Sequence, residues 1–241
     1  MKLLFFILSI STILFGHDAP YSIKHFQDIL NNTKLQAPTS HFDPKWSRDY
    51  GEFQYYENKY FYLQDNKYMT FLMCGKKNRS ELREKETWKV STQKAKILFA
   101  EIAFFSLNAK REFTFLQIHA DPNYKNNLKH NSINKPLLRI VWKKQYRNLK
   151  NHIWAVIRTS ALLEEHKYIK IDLGKYKNNF FTVKIVVKTS RLVIYINNTR
   201  KVDLSVSYWD NIWNYFKAGV YLQDNGCAKI LFKQLRIEGQ Q

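Results

Sequence analysis

Three short segments of the sequence combine side chains that could bind a carboxylate and move a proton. The first, RSELRE at 79–84, would place Arg79, Glu81 and Arg83 on one face of a strand, because successive side chains of a strand point to opposite faces. An acidic residue between two arginines can hold both guanidinium groups in place, with their donors directed at a carboxylate on a ligand. A surface row of ion pairs produces the same pattern, and this segment taken alone favours that interpretation.

The second segment, QIH at 117–119, ends an apolar run. It directs Gln117 and His119 to one face and Ile118 to the other. A single histidine is weak evidence of function, because most histidines are structural residues with satisfied hydrogen bonds.

The third segment, YFKAGVYLQ at 215–223, has apolar residues at its even positions. Its odd positions present Tyr215, Lys217, Tyr221 and Gln223 around Gly219. A solvated face normally mixes Lys, Glu, Thr and Ser, so this row suggests contact with a ligand, while an ordinary solvent-exposed face stays the alternative. Gly219 weakens a strand unless a backbone or a ligand must approach closely.

The elements that must position these rows are predicted to be strands almost throughout. Segments rich in Phe, Tyr, Ile and Val recur at short intervals, a rhythm typical of an all-β sandwich or jelly roll. One helix is predicted at 22–30, and the polar, basic stretches 121–136 and 143–152 are predicted to be connections that border a binding cleft. The predicted strands are 53–63, 68–73, 97–107, 113–119, 137–142, 180–187, 192–196, 215–223 and 230–237.

Two short polar pairs predict tight reversals between neighbouring strands. Thr189-Ser190 separates two β-branched runs, and Asn197-Asn198 follows the second of them. Asparagine tolerates positive φ, which hairpin turns require, so adjacent strands are expected to be antiparallel.

Length and composition agree with one large folded domain. The chain has 241 residues, of which 45% are hydrophobic, and only 7 Gly and 5 Pro, which excludes collagen-like and proline-rich classes. Lys and Arg number 39 against 20 acidic residues, a formal charge of +19. A charge of this size predicts an acidic partner.

The N-terminus predicts export. Lys2 precedes an apolar run at 3–15, which is too short to span a membrane comfortably but suits the core of a signal peptide. We expect a signal peptide at 1–19, cleaved near 16–19, followed by a single domain at 20–241. Secreted or periplasmic localisation follows from this prediction, and a short interfacial anchor is the alternative.

Two cysteines, Cys74 and Cys227, would reach an oxidising compartment after export and could pair there. Two free, buried thiols are the alternative. The sequence lacks the clustered Cys and His spacing of a structural zinc site, so no metal is expected.

The three segments, in this order, resemble the signature blocks of the family 7 polysaccharide lyases, the alginate lyases. The resemblance extends from about residue 42 to about residue 237. It implies a concanavalin-like jelly-roll β-sandwich of two antiparallel sheets with a concave substrate groove. It also implies cleavage of alginate, a polymer of mannuronate and guluronate, by β-elimination without a cofactor, which leaves a 4,5-unsaturated uronate at the new non-reducing end.

The resemblance also implies roles for individual residues. Arg83 and Gln117 match the residues that neutralise the uronate carboxylate and stabilise an enolate-like intermediate. His119 matches the proposed base and Tyr221 the catalytic tyrosine. The remaining polar residues of the three rows are expected to bind or orient substrate: Arg79, Glu81, Tyr215, Lys217 and Gln223.

Two other classes stay open at this stage. A noncatalytic protein that binds acidic polysaccharides would use the same arginines and tyrosines, and a lyase for another polyuronate, such as glucuronan, would keep the same chemistry. Nucleic acid also fits the charge and the aromatic content, but export and the even spread of charge along the chain argue against it. A monomer without stable membrane insertion is expected.

Overall fold

The computed structural model describes residues 18–108, 110–123 and 133–239, which form two antiparallel β-sheets with a shared apolar core between them. A 3₁₀ turn at Pro20–Ser22 leads into helix α1 (Lys24–Asn31), and a second 3₁₀ turn lies at Ser207–Trp209. The strands in chain order are β1 (Thr33–Gln36), β2 (Phe61–Gln64), β3 (Tyr68–Cys74), β4 (Arg79–Glu84), β5 (Trp88–Lys89), β6 (Lys96–Leu107), β7 (Glu112–Ala120), β8 (Pro136–Tyr146), β9 (Leu149–Arg158), β10 (Tyr168–Lys175), β11 (Phe181–Lys188), β12 (Arg191–Ile196), β13 (Thr199–Ser205), β14 (Trp213–Leu222) and β15 (Cys227–Glu238).

The first sheet, called the groove sheet below, has the order β1-β4-β14-β7-β8-β9-β10, with β5 also paired to β14. The second, called the outer sheet, has the order β13-β12-β11-β6-β15-β3-β2. Neighbours in each order are antiparallel, so the predicted all-β fold of two antiparallel sheets is confirmed.

The core lies between the sheets because alternate residues of each strand point inward. In β14 the inward set is Phe216, Ala218, Val220 and Leu222, all of which are buried. Burying a Phe, Val or Leu side chain contributes about 1.5–3 kcal/mol. The inward set therefore holds β14 flat against the core, and the odd-numbered residues of the strand must face the other way.

Most predicted strands lie where the sequence places them, but the prediction of one strand over 53–63 is wrong. Only its last three residues belong to β2, which begins at Phe61. Phe53 is buried outside any strand, and Tyr55 adopts a positive φ of 59°, which interrupts an extended backbone. The predicted helix is shifted, since α1 spans Lys24–Asn31.

The prediction of 143–152 as a connection is also wrong. Strand β8 continues to Tyr146 and β9 begins at Leu149, so this stretch forms the end of a hairpin. Its side chains are polar because the hairpin tip is largely exposed. Of the predicted connection at 121–136, residues 124–132 lie outside the described residues. The predicted strands also leave out β1, β5, β10 and β13, which are short or polar, and the apolar end of β9 at 153–158.

Both predicted reversals are present. Thr189 and Ser190 have φ values of 48° and 60°, and Asn197 and Asn198 have values of 47° and 63°. Positive φ is costly for threonine, but the Thr189 and Ser190 amides each donate a hydrogen bond of 2.8 Å to a backbone carbonyl of the 90–92 segment.

Cys74 and Cys227 form a disulfide, with their Cα atoms 4.1 Å apart on neighbouring strands β3 and β15. The predicted signal peptide falls almost wholly outside the described residues, which begin at 18. Across the described ranges, no helix has the length and apolar character needed to cross a membrane.

The buried carboxyl group of Glu84 contacts β14 at the point where β14 stops pairing with β5 and begins to pair with β4. Its Oε2 accepts hydrogen bonds from the Phe216 amide at 2.8 Å and from Trp88 Nε1 at 3.0 Å, while its buried Oε1 has no partner among the described residues. Burial raises the pKa of Glu84 from 4.5 to about 7, against the opposing effect of these hydrogen bonds.

We predict that Glu84 makes the free energy of unfolding fall as pH rises. The folded protein holds the proton up to about pH 7, whereas the unfolded chain releases it at about 4.5, so this stabilisation is complete below the lower value and lost through the upper. The shift corresponds to about 3 kcal/mol. Denaturant unfolding from about pH 4.5 to about pH 8 should show a flatter dependence in Glu84→Gln than in the exposed control Glu238→Gln. Identical slopes in the two variants would contradict this assignment.

Candidate active site

Strand register brings the three polar rows of the sequence into one patch of the groove sheet. Lys217 in β14 lies opposite Arg83 in β4 on one side and Gln117 in β7 on the other. Along β14, Tyr215 lies opposite His119 and Tyr221 opposite Arg79. Segments separated by more than a hundred residues therefore present their side chains to the same face.

This patch forms the floor of an open groove of about 730 Å³. The residues that line it are mostly polar, and its cations outnumber its acids. Those the sequence predicted are Arg79, Arg83, Gln117, His119, Tyr215, Lys217 and Tyr221, and those it did not include Gln36, Ser40, His41, Asn123, Lys135, Arg139 and Tyr168.

Glu81 is the centre of the hydrogen-bond network beneath the floor. Its Oε2 accepts a hydrogen bond from Lys217 Nζ at 2.6 Å and its Oε1 accepts one from Gln117 Nε2 at 2.5 Å. Arg79 Nη1 lies 3.6 Å from Oε2. Burial alone would raise the pKa of Glu81, but the charges of Lys217 and Arg79 and the two hydrogen bonds outweigh it and lower that pKa. Glu81 is therefore a buried carboxylate that orients three neighbours.

Lys217 lies below the groove surface, with 2% of its area exposed. Burial lowers the pKa of its ammonium to about 8, although the charge of Glu81 opposes the shift. Lys217 Nζ donates a hydrogen bond to Glu81, so Lys217 helps to hold the floor of the groove together. Its expected contact with a neighbouring sugar carboxylate stays a prediction.

Gly219 allows the two strands to meet above this network. Its φ is +139°, and a Cβ added there would lie 2.3 Å from the Ser80 carbonyl oxygen and 2.7 Å from Glu81 Cα. The close approach that the sequence suggested is thus to the backbone of β4. Any side chain at this position would separate β14 from the strand that carries both arginines.

Arg83 is held on two sides. Its Nη2 donates to Asp121 Oδ2 at 2.7 Å, and its guanidinium carbon lies 4.1 Å from the centre of the Tyr215 ring. The Asp121 side chain is almost fully buried and also accepts from the Asn123 amide. Burial raises the pKa of Tyr215 to about 12, so this phenol stays protonated in neutral solution.

His119 is neutral and its tautomer follows from its contacts. Its Nδ1 lies 2.8 Å from the Ala120 carbonyl oxygen, which can only accept, so Nδ1 donates and Nε2 carries a lone pair. The Tyr215 hydroxyl is more distant, at 3.4 Å from Nδ1. Burial lowers the pKa of His119 to about 3, and the charge of Lys217 acts in the same direction. His119 is therefore available as a base at neutral pH.

Tyr221 lies at the other side of the patch, partly exposed to the groove. The guanidinium carbon of Arg79 lies 4.7 Å from the centre of its ring, a cation–π contact between neighbouring strands. The hydroxyl of a neutral tyrosine can donate a proton, and its phenolate can accept one. The groove thus holds a base and a possible acid on neighbouring strands.

Gln223 lies just beyond β14 and is not among the lining residues. Its amide contacts the Thr114 hydroxyl, and in the orientation that satisfies its hydrogen bonds its oxygen accepts from Arg139 Nη1 at 3.2 Å. Of the nine predicted site residues, it is the one placed at the margin of the groove.

The described ranges contain no group of three or more His, Cys, Asp or Glu side chains placed to hold a metal ion. The chemical groups in the groove are instead guanidinium, amide, imidazole and phenol. Together they can bind a carboxylate and transfer protons beside it.

Known proteins resemble this chain in sequence and in fold. Residues 28–239 match the family model described as alginate lyase. The chain belongs to the alginate lyase family. An alginate lyase from Photobacterium sp. (strain ATCC 43367) is 30% identical over an alignment 259 residues long, gaps included, that covers 91% of this chain and 87% of that protein.

Solved structures also resemble this lyase. The alginate lyase AlyC3 is 29% identical, with a TM-score of 0.80 over 92% of this chain and 95% of that one. The alginate lyase A1-II′, a member of polysaccharide lyase family 7, is 19% identical, with a TM-score of 0.72 over 89% and 97% of the two chains, and shares the fold. The resemblance to family 7 lyases and the predicted jelly-roll fold are confirmed.

The residues missed at the sequence level include Arg139, which lines the lyase groove, and Asp121, which lies below its surface. Arg139, in β8, lies opposite Gln117 in β7. It is the only charged residue of the apolar stretch 137–142, and this isolated cation was the signal available in the sequence. Asp121 follows QIH by two residues, but nothing in the sequence indicated that it would reach across to Arg83.

We predict that Asp121 positions Arg83 for turnover. Asp121→Asn weakens a charge-assisted bond worth about 1.5–3 kcal/mol, so kcat/KM for a uronate oligosaccharide should fall roughly 10- to 150-fold. Asp203→Asn, which alters an ion-paired aspartate on the outer sheet, is the matched control and should leave this value unchanged. In an Arg83→Lys background the Asp121 substitution should cost much less, because the two residues act together. Equal losses in both backgrounds would contradict the assignment.

Proposed function

We propose that this lyase cleaves alginate by β-elimination in the groove. The observation that supports this most directly is the convergence of Arg83, Gln117, His119 and Tyr221 on one patch, where a neutral base adjoins carboxylate-binding donors. The relatives are alginate lyases by description, and one structure of AlyC3 contains dimannuronate.

The reaction requires a proton to leave C5 of a uronate and an oxygen to leave C4. The C5 hydrogen is poorly acidic while the adjacent carboxylate is negative, so the carboxylate must be neutralised before the proton is removed. Arg83 supplies a fixed positive charge, and Gln117 can donate the amide hydrogen that Glu81 does not use. Because Asp121 and Glu81 hold both groups in advance, little reorganisation is needed as charge moves onto the carboxylate.

His119 would take the C5 proton through Nε2. As the C5–H bond breaks, its electron pair forms the C4–C5 double bond and the C4–O bond breaks. Tyr221 would donate its proton to the departing oxygen, and the proton on His119 then returns to Tyr221 through solvent. Burial and the positive charge of Lys217 lower the pKa of His119, which keeps it unprotonated before each turnover.

Stereochemistry decides whether one residue or two transfer the protons. In guluronate the C5 hydrogen and the C4 oxygen lie on opposite faces, which favours His119 as base and Tyr221 as acid. In mannuronate they share a face, so Tyr221 could perform both transfers. The dimannuronate bound to AlyC3 favours mannuronate, whereas Ile118 in the QIH segment, through the resemblance to the family 7 signature blocks, implies a preference for guluronate-containing chains. Initial rates on pure blocks of each sugar distinguish the two.

A noncatalytic polysaccharide-binding role and activity on another polyuronate are the competing proposals. Purified protein mixed with alginate, glucuronan or hyaluronate should produce the ultraviolet absorbance of a new unsaturated uronate only with its substrate. Binding without any rise in absorbance would favour the noncatalytic role, and a rise with glucuronan alone would favour the other lyase.

We also propose export through the predicted signal peptide at 1–19 and action as a monomer.

We predict that Tyr221→Phe nearly abolishes turnover but preserves binding. The variant removes only the proton-donating hydroxyl, so kcat should fall by at least about 100-fold while the dissociation constant for an oligouronate changes little. Tyr55→Phe, at an exposed tyrosine that does not line the groove, is the matched control and should be fully active. Near-normal kcat in Tyr221→Phe would require a different acid.

We also predict that His119 does not titrate near neutral pH. A pKa lowered from 6.5 to about 3 means that the neutral base persists as pH falls, so protonation of His119 should not reduce kcat/KM between about pH 8 and about pH 5. The direct measurement is the NMR titration of the His119 ring, identified by its loss in His119→Gln. A ring titration with a midpoint near 6.5 would overturn the assignment of His119 as a base that is neutral in the free enzyme across this pH range.

A further inference from the structure

The outward face of the outer sheet carries a row in which cations and aromatic rings alternate. Strand register places Arg200, Tyr195, Lys184, Phe99 and Arg236 side by side on β13, β12, β11, β6 and β15. These five residues are called the outer row below. Their neighbours along the same strands point into the core and are buried, including Ile194, Ile196, Ile185, Leu98, Ala100, Leu235 and Ile237.

Cations of the outer row lie over its rings. The guanidinium carbon of Arg236 is 3.8 Å from the centre of the Phe99 ring, and Lys184 Nζ is 5.9 Å from the centre of the Tyr195 ring. Both rings are partly exposed and Lys184 is exposed. Such an arrangement offers flat apolar surface beside fixed positive charge, which matches a sugar ring that bears a carboxylate.

The face is positively charged overall. Asp203 pairs with Arg191 at 2.5 Å and with Arg200 at 3.0 Å, and Glu238 pairs with Arg236 at 2.7 Å. Glu101, two residues from Phe99 on the same face of β6, pairs with Lys233 at 2.7 Å. These three carboxylates face six cations on the row, beside it and on the adjoining turn: Arg200, Lys184, Arg236, Lys233, Lys188 and Arg191. The Arg200 side chain is 62% exposed and that of Arg236 is 48% exposed, so both can bind a further anion.

The length of the outer row favours a linear polymer. Five strands about 4.8 Å apart extend about 19 Å, with a cation on every second strand. Beyond Arg236 the surface continues into a groove of about 460 Å³ lined by His25, Lys67 and Lys233. A compact anion such as phosphate would use only one of these cations, whereas an extended chain of charged sugars can contact several.

We propose that the outer row is a second, noncatalytic binding site for a polyuronate chain, on the opposite face of the sandwich from the catalytic groove. This inference rests on the proposed function, because the polymer cleaved in the groove is then the polyanion that surrounds the enzyme. A chain bound to the outer row keeps the lyase on long or gelled polymer between catalytic events. Short oligosaccharides that occupy only the groove gain nothing from it.

The test compares Lys184→Glu/Arg236→Glu with a control that has the same charge change, Lys76→Glu/Lys177→Glu, in turns away from the row. Each pair is introduced into the full chain, with and without Tyr221→Phe. In the Tyr221→Phe background, which keeps the polymer intact, the dissociation constant for long alginate should rise at least about tenfold in the row variant at low salt. High salt should shrink the difference.

Turnover gives the second readout. With Tyr221 present, the row variant should cleave a trisaccharide within about twofold of the control but lose rate on dilute polymer. Equal polymer affinity in the row and control variants overturns the proposal, as does a loss of affinity only for duplex DNA or for anionic lipid vesicles. A protein that forms no unsaturated uronate from any polymer refutes the proposed function, whereas intact turnover with unchanged polymer affinity refutes the outer row alone.

Discussion

The buried Glu81 carboxylate is the interaction on which the groove depends. It lies under the floor with hydrogen bonds from Lys217 and Gln117 and with Arg79 nearby. A buried charge without partners would cost several kcal/mol, so these neighbours are needed by Glu81 as much as they are oriented by it. The three come from three different strands, and only the correct register of β4, β14 and β7 satisfies the carboxylate. The same contacts therefore specify the pairing of the strands and the positions of the groups that meet the substrate.

The network also separates two requirements that conflict. A polyanionic substrate calls for positive charge at the groove surface, whereas the cations of the floor need carboxylate partners, which would repel the substrate if they lay at that surface. Glu81 and Asp121 meet these requirements by lying below the surface, each paired with a cation. The field that remains at the surface is positive and attracts carboxylates, and the charge of Lys217 adds to burial, the main cause, in lowering the pKa of His119. Binding and proton abstraction thus use one arrangement of charge.

Sequence alone was sufficient for the all-β class, both hairpin turns and the polar face of β14, because each depends on local alternation or local turn preference. The convergence of Arg83, Gln117, His119 and Tyr221 on one patch rested on resemblance, since no local pattern relates residues on strands far apart in the sequence. Asp121 and Arg139 escaped prediction for the same reason: their partners are long-range. The stretch 143–152 was predicted to be a connection because a hairpin tip that extends into solvent is as polar as a loop. Phe53 was assigned to a strand because, in the sequence, an aromatic residue buried outside a strand cannot be distinguished from one within a strand.

The charge of the chain indicates why the outer sheet matters. A groove that binds a few uronates needs only a few cations, and Arg79, Arg83 and Arg139 already supply them. A formal charge of +19 is much larger than this need, and unneutralised charge of one sign disfavours the compact state. Part of the excess lies in the outer row, where the register of five strands alternates it with aromatic rings. Solubility alone requires no such alternation, whereas the proposed retention on a charged sugar polymer would use it, because a ring can contact the apolar face of a sugar while the adjacent cation contacts its carboxylate.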